Sequence, residues 1–560
     1  MTVLTARAAD EVQSVLEEAQ RQALAGRWAV GCVAYEAAPA FDPALKVWPG
    51  TRPGGGALPL AAFAIYEDDD EAPTAAREDA ADFACGPWRM STPQERSVAA
   101  IAALRRRIAD GDFYQVNLTT RLRADFSGSS RALFAALVEA QPGGYCAHLE
   151  NAAWEVLSVS PELFFDWRPD GLLTARPMKG TAPRHADAAT DAAAARAMQA
   201  SPKERAENLM IVDLLRNDLA RVAVTGTVRV PRLFEAEALP TAWQMTSTVQ
   251  CTTRPDTGLA DIFRALFPCG SVTGAPKVAA MAAIAGLEEA PRGAYCGAIG
   301  LIRPGGHATF NVGIRTVVLD RGAGAAECGI GSGIVFDSRP EDEVAEWLVK
   351  RRFLLRATAG FELLETLALE DGVYRLKERH LERLAASAAH FGFGFDPARG
   401  EAALAELAAR QPTGAWRVRL LCDRRGRGRT ECSALAPTAD NLPVALAAGP
   451  IDGDEEFIRH KTTERAAYRR FDPPAGVFDT LLWNTHGEIT EFTRGNVVLE
   501  LAGHLVTPPL ACGLLPGVLR AELLARGEIQ ERTVRLDELP QATGLWFINS
   551  VRGWVRTRLA

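Results

Sequence analysis

The chain reads as an α+β protein built in two consecutive parts. Three observations predict this. Strand-like and helix-like patterns are mixed without a strict βαβ rhythm. The pattern restarts at Gly360, where a new hairpin begins. The 560 residues, 48% hydrophobic and 24% charged, lie in the ordinary globular range and are enough for several cores.

The elements follow in order. Short apolar runs alternate with loops over residues 1–90, and Pro53-Gly-Gly-Gly56 and Asp68-Asp-Asp-Glu71 read as surface turns. Thr92–Ala109 has helical spacing, with Pro93 near its first turn. Glu155–Ser158, Leu163–Trp167 and Leu172–Ala175 read as strands, and Ala186–Ala200 as an alanine-rich surface segment. Lys203–Arg221 is a long amphipathic helix. Ala294–Ile302, Ala308–Leu319 and Ala326–Ile334 read as strands, and Glu341–Ala359 as a helix. Phe361–Glu370 and Val373–Leu376 then flank Asp371-Gly372, a hairpin signal. A helix with His380, Arg383 and Leu384 follows, then strands near 415–422, 443–449, 476–484, 496–501 and 544–549. The predicted domains are 1–357 and 361–560.

A net charge of -8 argues against nonspecific nucleic-acid binding and against a basic membrane surface. No run of about 18 apolar residues predicts a membrane span. The ten cysteines are scattered without a C-x-x-C pair, which favours reduced thiols. The first residues lack an apolar segment of the signal type, so a cytoplasmic location is expected.

Glu204 and Glu207 share one helix face at i, i+3, and Glu343 and Glu346 repeat the spacing on a second helix. Four carboxylates from two helices can converge on a hard divalent cation such as Mg²⁺, although such pairs are commonly solvated faces. Lys179, in Arg176-Pro-Met-Lys-Gly-Thr181, follows a strand and can act as nucleophile or base. The loop Phe267–Lys277 opens a helix and offers backbone N–H groups to a carboxylate. It is not a phosphate-binding P-loop, because Pro276 removes a donor and no Ser/Thr follows Lys277. Arg315 is a candidate partner for a second carboxylate, and Gly329-Ile-Gly-Ser-Gly333 allows close backbone approach. These residues point to a Mg²⁺-assisted site for a small dianion.

Glu204-x-x-Glu207, Val212-Asp-Leu-Leu-Arg-Asn-Asp218, Gly270-Ser-Val-Thr-Gly-Ala-Pro-Lys277, Pro291-Arg-Gly-Ala-Tyr295, Ile314-Arg-Thr316 and Gly331-Ser-Gly333…Glu343-x-x-Glu346 resemble, in order, the chorismate-utilising enzymes. The fold implied is that family's α/β sandwich, like anthranilate synthase component I. Gly31-Cys-Val-Ala-Tyr-Glu-Ala-Ala38 and the lysine in Pro-Met-Lys-Gly-Thr resemble the aminodeoxychorismate synthase branch; anthranilate synthases typically carry alanine there. The resemblance implies that Lys179 attacks chorismate C2 and that ammonia then enters at C4. It further implies Glu207 and Glu346 as direct Mg²⁺ ligands, with Glu204 and Glu343 acting through water. Tyr295, Arg315, Gly331 and Gly333 would contact substrate, with Thr273 and Lys350 close by. Gln244 stands where much of the family has histidine.

In the second part, Lys461 is followed by Glu491 and then Arg494-Gly-Asn496. A glutamate facing a pyridinium nitrogen makes pyridoxal phosphate an electron sink. Arg383 can bind its phosphate, Gly513-Leu-Leu-Pro-Gly517 opens a helix, and Ser550 adds a donor. The ordered set resembles the fold-type-IV pyridoxal-phosphate enzymes, an α+β fold, and leans toward the aminodeoxychorismate lyases. Thr366, in Phe361-Glu-Leu-Leu-Glu-Thr366, takes the proton-relay position.

Together the two resemblances imply consecutive reactions ending in 4-aminobenzoate, a folate precursor. No cysteine sits in a glutaminase-type nucleophile elbow, so ammonia is expected from a separate glutamine amidotransferase subunit. A homodimer through residues 361–560 is implied by the second resemblance. Two alternatives remain: an anthranilate synthase component fused to an aminotransferase, and a second part that has become a scaffold.

Overall fold

A computed structural model of the chain describes residues 2–48, 58–67, 82–183, 188–238, 242–451 and 456–560. The turns expected at Pro53–Gly56 and Asp68–Glu71 lie outside the described residues, as do Ala186 and Asp187. The chain divides into two compact units, Met1–Thr358 and Ala359–Ala560.

The first unit holds two antiparallel sheets. One runs in the order Thr2–Ala6, Ala61–Tyr66, Trp28–Val33, Ala298–Ile302, Ala308–Val312, Leu163–Trp167, Leu172–Arg176, Ala242–Thr252 and Met178–Pro183, with Arg229–Ala238 also paired to Ala242–Thr252. The other runs Gly274–Ala275, Gln115–Gly128, Ala325–Ile334, Thr316–Asp320, Trp154–Ser160 and Tyr145–Glu150. A small apolar cluster fills the gap between them: Cys32, Ala62 and Ile299 come from the first sheet, Trp154 and Val156 from the second. Helices Ala9–Leu24, Pro202–Ala220 and Leu259–Leu266 bury their apolar faces on the first sheet, and Gln94–Ala109, Ser130–Ala140 and Lys277–Leu287 on the second. Burial on both faces of each sheet explains strands such as Trp-Glu-Val-Leu-Ser-Val-Ser, which lack a clean two-residue alternation.

The chain steps between the sheets at two neighbouring places. Pro161-Glu162 joins Trp154–Ser160 of the second sheet to Leu163–Trp167 of the first, and Gly313–Arg315 joins Ala308–Val312 of the first to Thr316–Asp320 of the second. The two steps are hydrogen-bonded to each other. Val312 N donates to the Glu162 carbonyl at 3.0 Å, Val159 N to the Arg315 carbonyl at 3.1 Å, and Ser160 Oγ to the Val312 carbonyl at 2.6 Å. The single strand expected over Ala308–Leu319 is therefore two strands, broken where Arg315 adopts a left-handed φ of 47°. Two further expectations are corrected. The strand begins at Ala298 rather than Ala294, because Cys296 at φ 61° turns the chain. The helix expected over Glu341–Ala359 is two helices, Pro340–Lys350 and Arg352–Thr358.

The second unit pairs a four-stranded antiparallel sheet with a mixed one. The first has the order Val373–Tyr374, Leu363–Glu370, Ala415–Cys422 and Gly428–Ala434. Asp371 and Gly372, at φ 47° and 79°, form the tight turn that their identities favour. In the mixed sheet, Ile489–Phe492 pairs with both Asp479–Trp483 and Gly495–Leu501, so the strands close into a barrel filled by Val444, Leu481, Phe492, Val497 and Phe547.

Candidate active sites

Lys179 follows the strand Leu172–Arg176, as expected, and itself lies in a further strand, Met178–Pro183. Gly180 beside it has φ 100°, and a Cβ there would come 3.0 Å from Glu204 Oε2. Glycine thus lets the helix Pro202–Ala220 close on the lysine strand. From that helix, buried Asn208 donates to the Lys179 carbonyl at 3.4 Å and accepts from Ser247 Oγ at 2.6 Å. The amine reaches across to the second sheet: a Cβ on Gly333 would stand 3.0 Å from Lys179 Nζ and 2.6 Å from Gln115 Nε2. Both groups occupy the space that a side chain at Gly333 would need. Gln115 is fully buried, and neither end of its amide has a hydrogen-bond partner among the described residues.

Glu162 reaches the same region from the first sheet-to-sheet step. It is 4% exposed and accepts from Ser271 Oγ at 2.7 Å. Burial pushes its carboxyl up to about 7, against the opposing pull of Ser271 and Lys179. Sequence reasoning missed Glu162 and Gln115. The only signal for the first is a carboxylate inside the otherwise apolar run around Pro161, and for the second a glutamine at the head of a buried strand.

Glu204 and Glu207 extend from Pro202–Ala220, and Glu343 and Glu346 from Pro340–Lys350. Burial raises the Glu207 carboxyl; Lys179 opposes the rise, while Glu204 and Glu343 reinforce it. Glu343 accepts from Ser332 Oγ, which also accepts from Trp347 Nε1 at 2.8 Å. Glu346 pairs with Lys350 Nζ at 2.7 Å, and Lys350 donates to the Gly331 carbonyl at 2.8 Å. Among the described residues, no three of these carboxylates come within 4.8 Å of one another. The donor set still suits Mg²⁺. It is all oxygen, it includes the half-buried Glu207 carboxylate crowded by two others, and Mg²⁺ keeps several waters and needs few direct protein ligands.

The remaining expected residues are placed as follows. Arg315 is half-buried, 5.9 Å from the centre of the Phe353 ring, and burial lowers its guanidinium. Among the described residues no carboxylate pairs with it. Gln244 is 8% exposed and donates to Thr181 Oγ1 at 3.0 Å, on the strand beside Lys179. Thr273 spends its hydroxyl on the Cys269 carbonyl at 3.0 Å. Tyr295 lies on Gly329, where a Cβ would come 2.1 Å from its ring, with the Arg121 guanidinium 5.4 Å from the ring centre. Its charged neighbours are Arg292, Arg121 and Glu288 rather than Lys179. Lys277 is bound to Asp218 at 3.1 Å and to the Leu266 carbonyl at 3.0 Å.

In the second unit, backbone bonds fix the segment that carries Lys461. Leu364 N donates to the Lys461 carbonyl at 3.0 Å, Thr463 N to the Glu362 carbonyl at 2.9 Å, and Glu362 N to Thr463 Oγ1 at 2.9 Å. Lys461 lines a cavity of about 220 Å³ together with Thr366, Arg383, Glu491, Asn496 and Ser550. Burial draws its amine down to about 8, with Arg383 adding to the effect. Glu491 is 3% exposed and pushed up to about 8 by burial, although Tyr468 Oη at 2.7 Å and Leu515 N at 3.2 Å both donate to it.

Arg383 donates to Glu365 through Nε at 2.8 Å and Nη2 at 2.7 Å, and to the Pro516 carbonyl at 2.9 Å. Burial alone would raise the Glu365 carboxyl, but Arg383 and His380 overcome it and hold it at about 2. Gly517 caps the helix Val518–Ala525, and a Cβ there would fall 1.8 Å from Asn496 Oδ1. Asn496 also donates to the Leu515 carbonyl at 2.9 Å. Ser550 Oγ makes only a long bond, 3.5 Å, to the Thr366 carbonyl. These residues fit pyridoxal phosphate. The buried Glu491 carboxyl suits a pyridinium N–H, Lys461 suits the aldehyde, and Arg383 beside a helix N-terminus suits the phosphate.

The first unit is thus a two-sheet sandwich with a lysine and carboxylates gathered at one place, and the second a barrel-based domain with a buried lysine in a cavity. The chain belongs to the chorismate binding enzyme family, whose model matches residues 4–356. Residues 362–559 match the model of amino-transferase class IV. The aminodeoxychorismate synthase of Streptomyces pristinaespiralis is 43% identical over 270 residues, which cover 48% of this chain and 37% of that protein. Aminodeoxychorismate synthase component 1 of Klebsiella aerogenes is 42% identical over 260 residues, covering 46% and 56%. The chain spans less than two thirds of the length of either relative. The solved structure of anthranilate synthase component I from Streptococcus pneumoniae TIGR4 matches with a TM-score of 0.50 and 26% identity, covering 59% of this chain and 80% of that one. Both family resemblances read from the sequence are borne out.

Proposed function

We propose that the chain converts chorismate to 4-aminobenzoate in two reactions, one in each unit. The first unit replaces the C4 hydroxyl by an amino group, using ammonia from a separate glutamine amidotransferase subunit. The second eliminates pyruvate from 4-amino-4-deoxychorismate. The observation that carries this reading is the Lys179 amine set over Gly333, within electrostatic reach of Glu162, Glu207 and Glu346. The relatives named aminodeoxychorismate synthase support it.

In the first unit Lys179 Nζ bonds to C2 while both ring double bonds shift and the C4–O bond breaks. Glu162, a carboxyl poised near 7, gives its proton to the departing hydroxyl, which leaves as water. Ammonia then bonds to C4, the C2–N bond breaks, and the lysine amine is restored. Arg315, with no carboxylate of its own, takes one substrate carboxylate. Glu207 and Glu346 would hold Mg²⁺ directly and Glu204 and Glu343 through water, where the cation would neutralise the other carboxylate. Thr273, Tyr295, Gly331, Lys350 and Gln244 complete the substrate-binding set of this reading.

In the second unit pyridoxal phosphate, when bound, supplies an electron sink. Lys461 would hold its aldehyde, Glu491 its ring nitrogen, and Arg383 with the helix start at Val518 its phosphate; Asn496 and Ser550 shape the wall. The Lys461 amine would take the ring proton at C4 as the C3–O bond breaks and pyruvate leaves. Thr366 lines the same cavity as the relay residue. A cytoplasmic location and a homodimer formed through residues 361–560 belong to the same reading. Among the described residues no helix is long and apolar enough to cross a membrane.

The test supplies chorismate, ammonium and Mg²⁺ to the pure chain, with and without pyridoxal phosphate. The expected product is 4-aminobenzoate with the cofactor and aminodeoxychorismate without it. Anthranilate would overturn the first assignment, and full activity in Lys179→Ala would overturn the covalent role of the lysine. If borohydride reduction leaves no pyridoxyl group on Lys461, the second unit is a scaffold and the lyase assignment fails.

A further inference from the structure

We propose that Arg417, Arg494 and Arg552 form a receptor for two carboxylates of one small substrate at the mouth of the Lys461 cavity. Five arginines line that cavity: Arg383, Arg417, Arg465, Arg494 and Arg552. Two are already engaged. Arg383 is bonded to Glu365 and Pro516, and Arg465 donates to the Thr493 carbonyl at 2.6 Å with its guanidinium 4.6 Å from the Tyr468 ring centre. Both act on the charge of Lys461.

Of the other three, Arg494 and Arg552 meet at Phe478, and Arg417 lines the same cavity within electrostatic reach of Arg552. The Arg494 and Arg552 guanidiniums lie 5.7 Å and 5.9 Å from the Phe478 ring centre. Burial, then Arg494 and Arg417, lower the Arg552 guanidinium. Among the described residues one carboxylate serves the group: Asp479 accepts from Arg494 Nε at 3.1 Å, while Arg494 Nη2 donates to the Phe478 carbonyl. That carboxylate is already shared with Thr480 N, Thr493 N and Thr493 Oγ1. Arg552 donates to Thr438 Oγ1, a neutral group. Arg417 is exposed on the strand Ala415–Cys422, with no hydrogen bond or ion pair among the described residues. Among the described residues, three cations facing a single acid leave two positive charges uncompensated beside the cavity, and guanidinium is the side chain best matched to carboxylate. A cofactor phosphate is the competing claimant, but it has its own cation in Arg383 beside the helix start at Val518.

The receptor rests on the lyase reading only for the identity of its occupant, which carries one carboxylate on its ring and one on its enolpyruvyl side chain. The test uses the full chain loaded with pyridoxal phosphate, with isophthalate as an unreactive dicarboxylate probe and benzoate as its monocarboxylate control, titrated by calorimetry. The parent chain should bind isophthalate more tightly than benzoate. Arg417→Gln and Arg552→Gln should each weaken isophthalate about tenfold or more, the loss expected for one charge-assisted bond. They should raise the KM for aminodeoxychorismate while kcat stays within about twofold. The visible band of the bound cofactor should not change, and Arg552→Lys should recover part of the affinity. Arg417 is exposed and unpaired, so Arg417→Gln keeps the test valid should Arg552→Gln misfold. Unchanged isophthalate binding and KM overturn the proposal, as does a loss of cofactor affinity with isophthalate binding intact, which would assign the arginines to the phosphate. A parent chain that binds isophthalate through these arginines yet fails to turn over aminodeoxychorismate would overturn the lyase reading and leave the receptor standing.

Discussion

At Glu162 the carboxyl sits near 7 because burial strips it of water, while an ordinary glutamate titrates near 4.3. Its acid form persists to neutral pH and disappears as pH rises through about 7. At saturating ammonia, the amination rate should therefore fall over that interval. Glu162→Gln should remove this limb of the pH–rate profile and slow the reaction by roughly 10² to 10⁴. Lys461 has the opposite sign. Burial lowers its amine to about 8, so the neutral form that takes up an aldehyde appears above that value. Growth of the visible cofactor band after mixing should speed up with pH through about 8, and Lys461→Arg should show no such band. The two lysines could be picked out from sequence because each stands in a short ordered motif. Glu162 and Gln115 could not: what distinguishes them is burial beside Lys179, and burial is decided by strands far away in sequence.

Among the elements, the strand that carries Lys179 is held by one residue of the neighbouring helix. Asn208 bonds both its carbonyl and Ser247. Asn208→Leu should leave the Ser247 hydroxyl short of a partner and lower stability by about 1–3 kcal/mol, read from denaturant melts, with slower amination. Gly517→Ala should be worse for the second unit, since its Cβ would collide with Asn496 beside the cavity; the measured loss should be in cofactor affinity. Elements with local cues were legible in the sequence. The helix Gln94–Ala109 follows Pro93, and the hairpin turns on Asp371-Gly372. The break in Ala308–Leu319 carried one cue, Gly313, where a Cβ would meet the Ala294 carbonyl at 2.0 Å; Arg315, which takes the left-handed φ, is not a turn residue. Gly428–Ala434 and Ile489–Phe492 were missed although both pair with neighbours in sequence; Gly428–Ala434 is largely polar and exposed, and Ile489–Phe492 is only four residues long.

For the molecule as a whole, the division into two units means that each ligand should stabilise its own half. Pyridoxal phosphate at 100 times its Kd supplies about 2.7 kcal/mol. Hydrogen exchange should slow in Gly495–Leu501 on adding it and stay unchanged in Ala325–Ile334. Within the first unit, Glu162 and Arg315 occupy the two places where the chain changes sheets, and those places are bonded to each other. The backbone of each residue is thereby tied to both layers of the sandwich. The thickness of the gap between the layers is therefore itself a dimension of the proposed catalytic site. Residues that set it, such as Trp154 and Ile299, act as spacers for chemistry they never touch, so repacking that gap retunes the reach of the acid and of the anion clamp together.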